Sequence, residues 1–418
     1  MLLLSLFSHP ALACPTIATG TPSALNFRTA QVAIVRENGE TTFSVSINPA
    51  GAAQDFALVM PVPQILAESD VRTLDGEIFG RLDGYTAPRH VADAGCAQSN
   101  MAGASEDAAD TGDVSFDADG DVEVEAQYLV GDYEVVILSA EESTGLADWL
   151  TGHAYYLPPG ADERLGEYID AGSYFLAAKV ASSAAIADGS PLAPLQVHYQ
   201  SESFAIPIRL AALNSPGEQD MVIYAITPTS GADSGQVGIA NYPEFTVPSG
   251  CIWGDPRNDD FAATYEAMFT SAWATAGTAA WTTEFAGEWY DCNPCSGIGI
   301  TEEDLAALGF TGDPYSHHLT RLHARYTPDQ AGQDLSLYGS GIYDPKVTSY
   351  ADRSDYNAEC IEECVSDDDG APPDGGKPEL SGCGCDSSAG GAGVLGLAFA
   401  GLAAARSRRA GRVSSPRP

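Results

Sequence analysis

Cys292-Asn293-Pro294-Cys295 is the run in this chain whose residue types and spacing best suit chemistry. Two thiols at Cys-x-x-Cys spacing can close a strained disulfide that cycles between oxidised and reduced forms, as in thiol oxidoreductases. That use needs a helix N-terminus at the motif, where the dipole favours thiolate. Here Ser296 to Thr301 separate it from the next helical pattern, and Asp291 immediately before it raises a thiol pKa rather than lowering it. A structural loop disulfide therefore fits better than redox catalysis. A reduction potential well above about −300 mV at Cys292/Cys295 would mark the catalytic alternative. Zinc comes third, through Cys292, Cys295, His317, His318 and His323. The gap from Cys295 to His317 exceeds that of compact zinc modules, and the histidines read as ordinary surface or core side chains. Asp117-Ala118-Asp119-Gly120-Asp121 opens like a calcium loop, but Val122 stands where the sixth-place Gly belongs and Tyr128 where the twelfth-place Glu belongs. Casual calcium association is the most it supports. With no nucleophile elbow, phosphate-cradling loop or His-Glu-x-x-His helix, the sequence assigns no catalytic residue, no metal site and no cofactor.

The elements that must carry these residues are mostly strands. Gln31 to Arg36 and Thr41 to Asn48 alternate around Asn38-Gly39, a tight-turn dipeptide. Phe56 to Met60 is a more continuous apolar strand, and Ser69 to Gly84 has helical spacing. Val122 to Val130 and Glu134 to Ser139 flank Gly131-Asp132. Ser143 to Leu150 reads as a short amphipathic helix with a hydroxyl cap, and Asp162 to Asp170 as a second helix. Strands follow at Tyr174 to Val180, Leu195 to Tyr199, Ser203 to Leu210, Met221 to Thr227 and Phe245 to Val247. A helix around Phe261 to Trp273, a strand near Thr282, a helix at Glu302 to Leu308 and strands at Leu319 to Tyr326 and Leu335 to Tyr338 complete the list. The order predicts an α+β fold of largely antiparallel sheet with interspersed helices, plus one C-terminal hydrophobic helix.

Both ends carry targeting patterns. Leu2 to Phe7 is apolar, and Ala11-Leu12-Ala13 is a small-x-small site before Cys14, so residues 1–13 read as a secretory signal cleaved after Ala13. No basic residue precedes the apolar run, which points to a start upstream of Met1. Cys14 also raises a lipoprotein alternative, weakened by Ala11 where a lipobox prefers Leu. At the other end, Ala389 to Ala405 contains only Ala, Gly, Val, Leu and Phe, enough for a helix of roughly 25 Å. Arg406, Arg408, Arg409 and Arg412 follow and place residues 406–418 on the cytoplasmic side.

The chain carries a formal charge of −39. Such a body repels phosphate and excludes nucleic acid as a partner; the charge itself reads as solubility in saline surroundings more readily than as a calcium-bridged surface. The organisation expected is an α+β domain over 14–250 with an acidic loop at 103–121, a Cys-x-x-Cys subdomain over 251–345 packed on it, and an acidic Pro/Gly-rich stalk over 346–388.

Several stretches occur together in an order that carries a resemblance: Asp55 to Pro63, Thr86-Ala87-Pro88-Arg89, Gly145 to Leu150, Cys292 to Cys295, and Thr320 to Pro328. From about Cys14 to Tyr343 the chain resembles the uncharacterised bacterial secreted family called domain of unknown function 2330. The tail separately resembles the myxobacterial C-terminal sorting signal, with Cys383 or Cys385 as the processed cysteine. That resemblance implies a sorting protease as partner and membrane association through the helix or the processed cysteine. The ectodomain family implies no activity.

Nine cysteines in an exported chain invite pairing. Cys292 can pair with Cys295 and Cys360 with Cys364, or these sets can cross-pair. Cys14, Cys96 and Cys251 leave one thiol over, and Cys96 is the favoured partner of a processed Cys14. The sequence thus predicts an exported, disulfide-stabilised protein of the cell surface or outer envelope, serving as a structural or interaction module for a protein or glycan that it does not identify. The alternatives are a thiol oxidoreductase and an acidic, calcium-associated adhesin.

Overall fold

A computed structural model describes residues 16–19, 29–46, 56–91, 122–180, 192–252, 261–288 and 299–352, apart from 132, 154, 156, 214–216 and 249. Two sheets lie face to face at its centre. The first has five antiparallel strands in the order β1 (Thr16–Thr19), β4 (Phe56–Val62), β9 (Tyr174–Val180), β8 (Tyr133–Ala140) and β7 (Val122–Val130). The second has eight, in the order β18 (Lys346–Val347), β15 (Ala280–Gly287), β16 (His317–Tyr326), β12 (Gln219–Pro228), β2 (Thr29–Glu37), β3 (Glu40–Ser46), β10 (Leu195–Gln200) and β5 (Val71–Thr73). All its neighbours are antiparallel except β2 and β12, which run parallel with Val32 opposite Ile223. Asn38 and Gly39 take the positive φ values that the β2–β3 turn demands.

Side-chain alternation decides what each face touches. Ile34, Phe43, Leu58, Ile137, Leu176, Ile223 and Leu322 fill one core between the two sheets. The outer face of the five-stranded sheet is covered by α2 (Ser143–Gly152), α3 (Ala161–Asp170) and the single turn α4 (Arg209–Ala212), through Leu146, Trp149, Leu165 and Tyr168. Over the outer face of the eight-stranded sheet lie α1 (Glu77–Thr86), α5 (Phe261–Ala276) and α6 (Glu302–Ala307), packing Phe79, Leu82, Leu305, Phe269 and Trp273 against Val222, Tyr224 and Ala280. The layers are helix, sheet, sheet, helix. Because β12 is covered on both sides, its burial is nearly continuous rather than alternating. Two small sheets complete the fold. One is β11 (Ala205–Ile206), β17 (Leu335–Gly339) and β13 (Val237–Ile239); the other is the parallel trio β14 (Gly250–Ile252), β19 (Ser349–Asp352) and β6 (Arg89–Val91).

The α+β class with mostly antiparallel sheet holds. Local readings fail in four places. Ser69 to Gly84 is helical only from Glu77; before that come a 3₁₀ turn at Glu68–Asp70 and β5, which pairs with β10. Ser203 to Leu210 gives a two-residue strand and then α4, because Pro207 has no N–H to donate to a ladder. Phe245 to Val247 forms no strand: Glu244 bridges Trp281, while Phe245 and Val247 pack under α5. Glu142, not Ser143, is the N-cap of α2, and no side chain caps it. The Ala389 to Ala405 helix lies outside the described residues; among those described, no helix is long and apolar enough to cross a membrane. The described residues all fall within one compact unit.

Candidate functional site

β16 builds the site by period-two alternation. Leu322, Ala324 and Tyr326 point into the core between the sheets, which leaves Arg321, His323 and Arg325 together on the outer face beneath α1 and α5. A row of cations under two helices needs counter-charges, and neighbouring elements supply them. Glu284, almost fully buried on β15, accepts from Arg321 Nε at 2.5 Å, from the Tyr265 hydroxyl at 2.6 Å, and contacts His323 Nδ1 at 2.8 Å. Asp220 on β12 receives Arg325 Nε and Nη2 at 2.5 and 2.8 Å. Its Oδ1 lies 3.3 Å from His323 Nε2, an ion-pair distance without hydrogen-bond alignment. Arg325 also donates to Glu266 and Thr270 of α5, each within 2.8 Å.

A β-bulge makes Glu284 available. On β15, Thr282 lies opposite His323 and Thr283 opposite Leu322, but the register then shifts so that Phe285, not Glu284, faces Arg321. Glu284 is the extra residue. It and Phe285 therefore both reach the outer face, where strict alternation would allow one.

At the other end of the row, Arg321 Nη1 donates to Asp83 Oδ1 of α1 at 2.7 Å, to Tyr224 Oη at 3.2 Å and to Thr86 Oγ1 at 3.3 Å. Tyr224 donates to the same Asp83 oxygen at 3.1 Å and accepts from Gln31 Nε2 at 3.0 Å. Aromatic rings wall the network: Phe269 stacks on His323 with centroids 4.0 Å apart, and the Arg325 guanidinium sits 4.6 Å from the same ring. The ends are the most exposed, at Asp83 (side chain 45 %) and Glu266 (56 %), against 17 % for Asp220 and 1 % for Glu284.

Burial alone would push the Glu284 carboxyl up, yet the His323 and Arg321 charges hold it down at about 2. Burial disfavours the His323 imidazolium, but Glu284 and Asp220 raise it to about 9. Both are ionised at neutral pH. The Tyr265 phenol is held well above its usual range by burial and by the Glu284 charge. Arg321 keeps its charge because Tyr224, Glu284 and Asp83 outweigh its burial. Within this network each cation has at least one carboxylate partner, and Glu284 and His323 are displaced to opposite sides of neutrality.

A second carboxylate hub lies beside α3 and α4. Asp334 accepts from the Tyr168 hydroxyl at 2.7 Å, the Ile208 N–H at 2.9 Å, the Arg209 N–H at 3.3 Å and Arg209 Nη2 at 2.8 Å. Arg209 also pairs with Glu167.

Of the residues singled out in the sequence, His317, His318 and His323 all stand on β16 but do not converge. Six residues of strand separate His317 from His323 by roughly 20 Å. His317 is buried against Phe310, His318 stacks on Tyr343, and burial lowers His317 to about 4. The zinc set is therefore not assembled by its histidines. Among the described residues no group of three or more His, Cys, Asp or Glu side chains is arranged to hold a metal ion. Cys14, Cys96, Cys292, Cys295, Cys360, Cys364, Cys383 and Cys385 lie outside the described residues, as do Asp117 to Asp121 and the tail arginines. Sequence reasoning did not single out Glu284, Asp220 or Asp83. The signal for Glu284 was present: a lone carboxylate inside Ala280-Trp281-Thr282-Thr283-Glu284-Phe285-Ala286-Gly287 must find a cation or leave the core.

Fold and network together define a four-layer α+β scaffold whose most elaborate polar cluster pairs three cations with four carboxylates. The model of DUF2330, described as an uncharacterized protein conserved in bacteria, matches residues 9–338, and the chain belongs to that family. No curated protein and no solved structure matches it. Two of the sequence stretches that carried the resemblance meet in the network, where Arg321 donates to Thr86.

Proposed function

We propose that this protein is an exported component of the cell envelope, displayed at the surface or held at an outer membrane face, where it serves as a structural or interaction module. The observation that carries the non-catalytic part is the state of its densest polar cluster: Glu284, His323, Asp220, Arg321 and Arg325 are paired with one another beneath α1 and α5. Catalytic sites keep groups poised to titrate or to meet a reacting atom; this one has its charges fixed by partners. Export rests on the small-x-small site before Cys14 and on the cysteine, apolar run and arginine cluster of the tail. Anchoring is by the Ala389 to Ala405 helix or by a processed Cys383 or Cys385.

Mass spectrometry of the mature termini after cell fractionation tests this. The expected product begins at Cys14, ends near Cys383 or Cys385, and sediments with envelope material. A cytosolic chain with both termini intact and every thiol reduced would overturn the proposal.

A further inference from the structure

β2 and β3 are joined by two residues, Asn38 and Gly39. Asn38 is the only asparagine of the chain that a glycine follows. It is exposed, and its side-chain amide meets no hydrogen-bond partner among the described residues. Such a pair can react with itself. The Gly39 amide nitrogen, its proton taken by solvent base, bonds to the Asn38 side-chain carbonyl carbon; the bond from that carbon to Nδ2 breaks, and Nδ2 takes up a proton and leaves as ammonia. The succinimide ring so formed is then opened by water at either carbonyl, which leaves aspartate or isoaspartate.

A folded turn blocks this chemistry when the attacking N–H is hydrogen-bonded or the following side chain crowds the ring. Neither block is present. Among the described residues the Gly39 N–H and the Asn38 carbonyl have no partner, and a Cβ built on Gly39 would find nothing within 4 Å. The backbone is also half prepared. Asn38 and Gly39 have φ of 51° and 86°, the pair of positive values that defines a type I′ turn. A succinimide fits the first central position of a type II′ turn, where φ is positive as well. The two turns interconvert by flipping the single peptide plane between Asn38 and Gly39, and glycine accepts either sign of φ. That plane is the unbonded one. The next is anchored, its Gly39 carbonyl accepting from the Ser201 N–H at 3.0 Å and from Arg36 Nη1 at 3.1 Å. The ring can therefore close while the hairpin keeps its register.

We propose that Asn38-Gly39 is a self-modifying site, which converts with age in the folded protein to aspartate and isoaspartate. Both products add a carboxylate between Glu37 and Glu40. Aspartate keeps the main chain and the turn. Isoaspartate routes the main chain through the former side chain and so lengthens a loop whose ends, Glu37 and Glu40, are paired across the hairpin. It also draws the Gly39 carbonyl away from the buried Arg36, which keeps Asp233 and Thr41.

The test ages the full-length chain for several weeks in mildly alkaline buffer and maps its peptides by mass spectrometry. The peptide holding Asn38 should show amide-to-acid conversion that speeds up with pH, with isoaspartate identified by electron-transfer fragmentation. An intact Asn38 in the folded chain, under conditions that convert a synthetic Arg36 to Thr41 peptide, would overturn the site. So would a rate that rises in step with the unfolded fraction in dilute urea, because the reaction would then belong to the unfolded chain. Thermal melts separate the products: fresh Asn38→Asp protein should match wild type, and the isoaspartate fraction should melt lower. Equal melting of the two would overturn the loosened turn.

Discussion

Glu284 and Asp334 are both buried carboxylates at the centre of hydrogen-bond networks, yet they are satisfied differently. Glu284 is held by three side chains, the cationic Arg321 and His323 of β16 in the same sheet and Tyr265 of α5 stacked on it. Asp334 is held partly by the backbone N–H groups of Ile208 and Arg209 at the start of α4. A carboxylate serving as counter-ion to two buried cations cannot be removed without stranding charge, whereas one that caps a turn leaves behind mostly dipoles. The first kind of hub should be much less tolerant of change.

The largest effect is expected for Glu284→Gln. Arg321 and His323 would lose their shared buried counter-charge, at a cost of about 3–5 kcal/mol, measured as a fall in urea midpoint. A loss below about 1 kcal/mol would break the comparison. Next is pH. His323 sits at about 9 in the folded chain against an ordinary 6.5, so its contribution is full below 6.5 and disappears as pH rises through 9. Glu284 sits at about 2 against 4.5, so its contribution is full above 4.5 and disappears as pH falls through 2. Stability from this pair should therefore plateau between 4.5 and 6.5, and its alkaline limb should drop by on the order of 3 kcal/mol. His323→Gln should flatten that limb in thermal melts across pH, and an unchanged limb would assign it to another group. Asp334→Asn keeps an acceptor for Tyr168 and the two N–H groups while uncharging the partner of Arg209, so about 1–2 kcal/mol is expected. The smallest effect is at the solvent-exposed end of the network, where Glu266→Gln should change stability by less than about 0.5 kcal/mol. Chemical denaturation of these two variants beside wild type would sharpen the contrast.

What the sequence made legible follows the range of the forces involved. Alternation around Asn38-Gly39, the helix at Phe261, and the strand from Leu319 to Tyr326 were readable because burial and turn geometry act within a few residues. The same alternation put His323 on one face of its strand. Its partners were out of reach, since Glu284 and Asp220 come from two other strands that only the folded sheet brings to it. The bulge between Thr283 and Phe285 was invisible for a different reason. It breaks period two at a single residue, and only the register against β16 reveals it. The failures at Ser203 to Leu210 and Phe245 to Val247 differ in cause: Pro207 ends the first ladder and was there to be read, whereas the second is a short apolar run that fits a strand or a packed loop equally well until its neighbours are known.

The parallel seam between β2 and β12 carries a consequence for how the molecule is made. Asp220 lies beside Thr29 and Ile226 beside Val35, so this junction unites segments nearly half the polypeptide apart. During synthesis the early hairpin emerges long before the strand that must dock on its open side, and contacts of such long sequence separation form slowly. Until the later half arrives, Val32 and Ile34 have no β12 beside them, so the early hairpin keeps one edge unpaired while the rest of the chain is made.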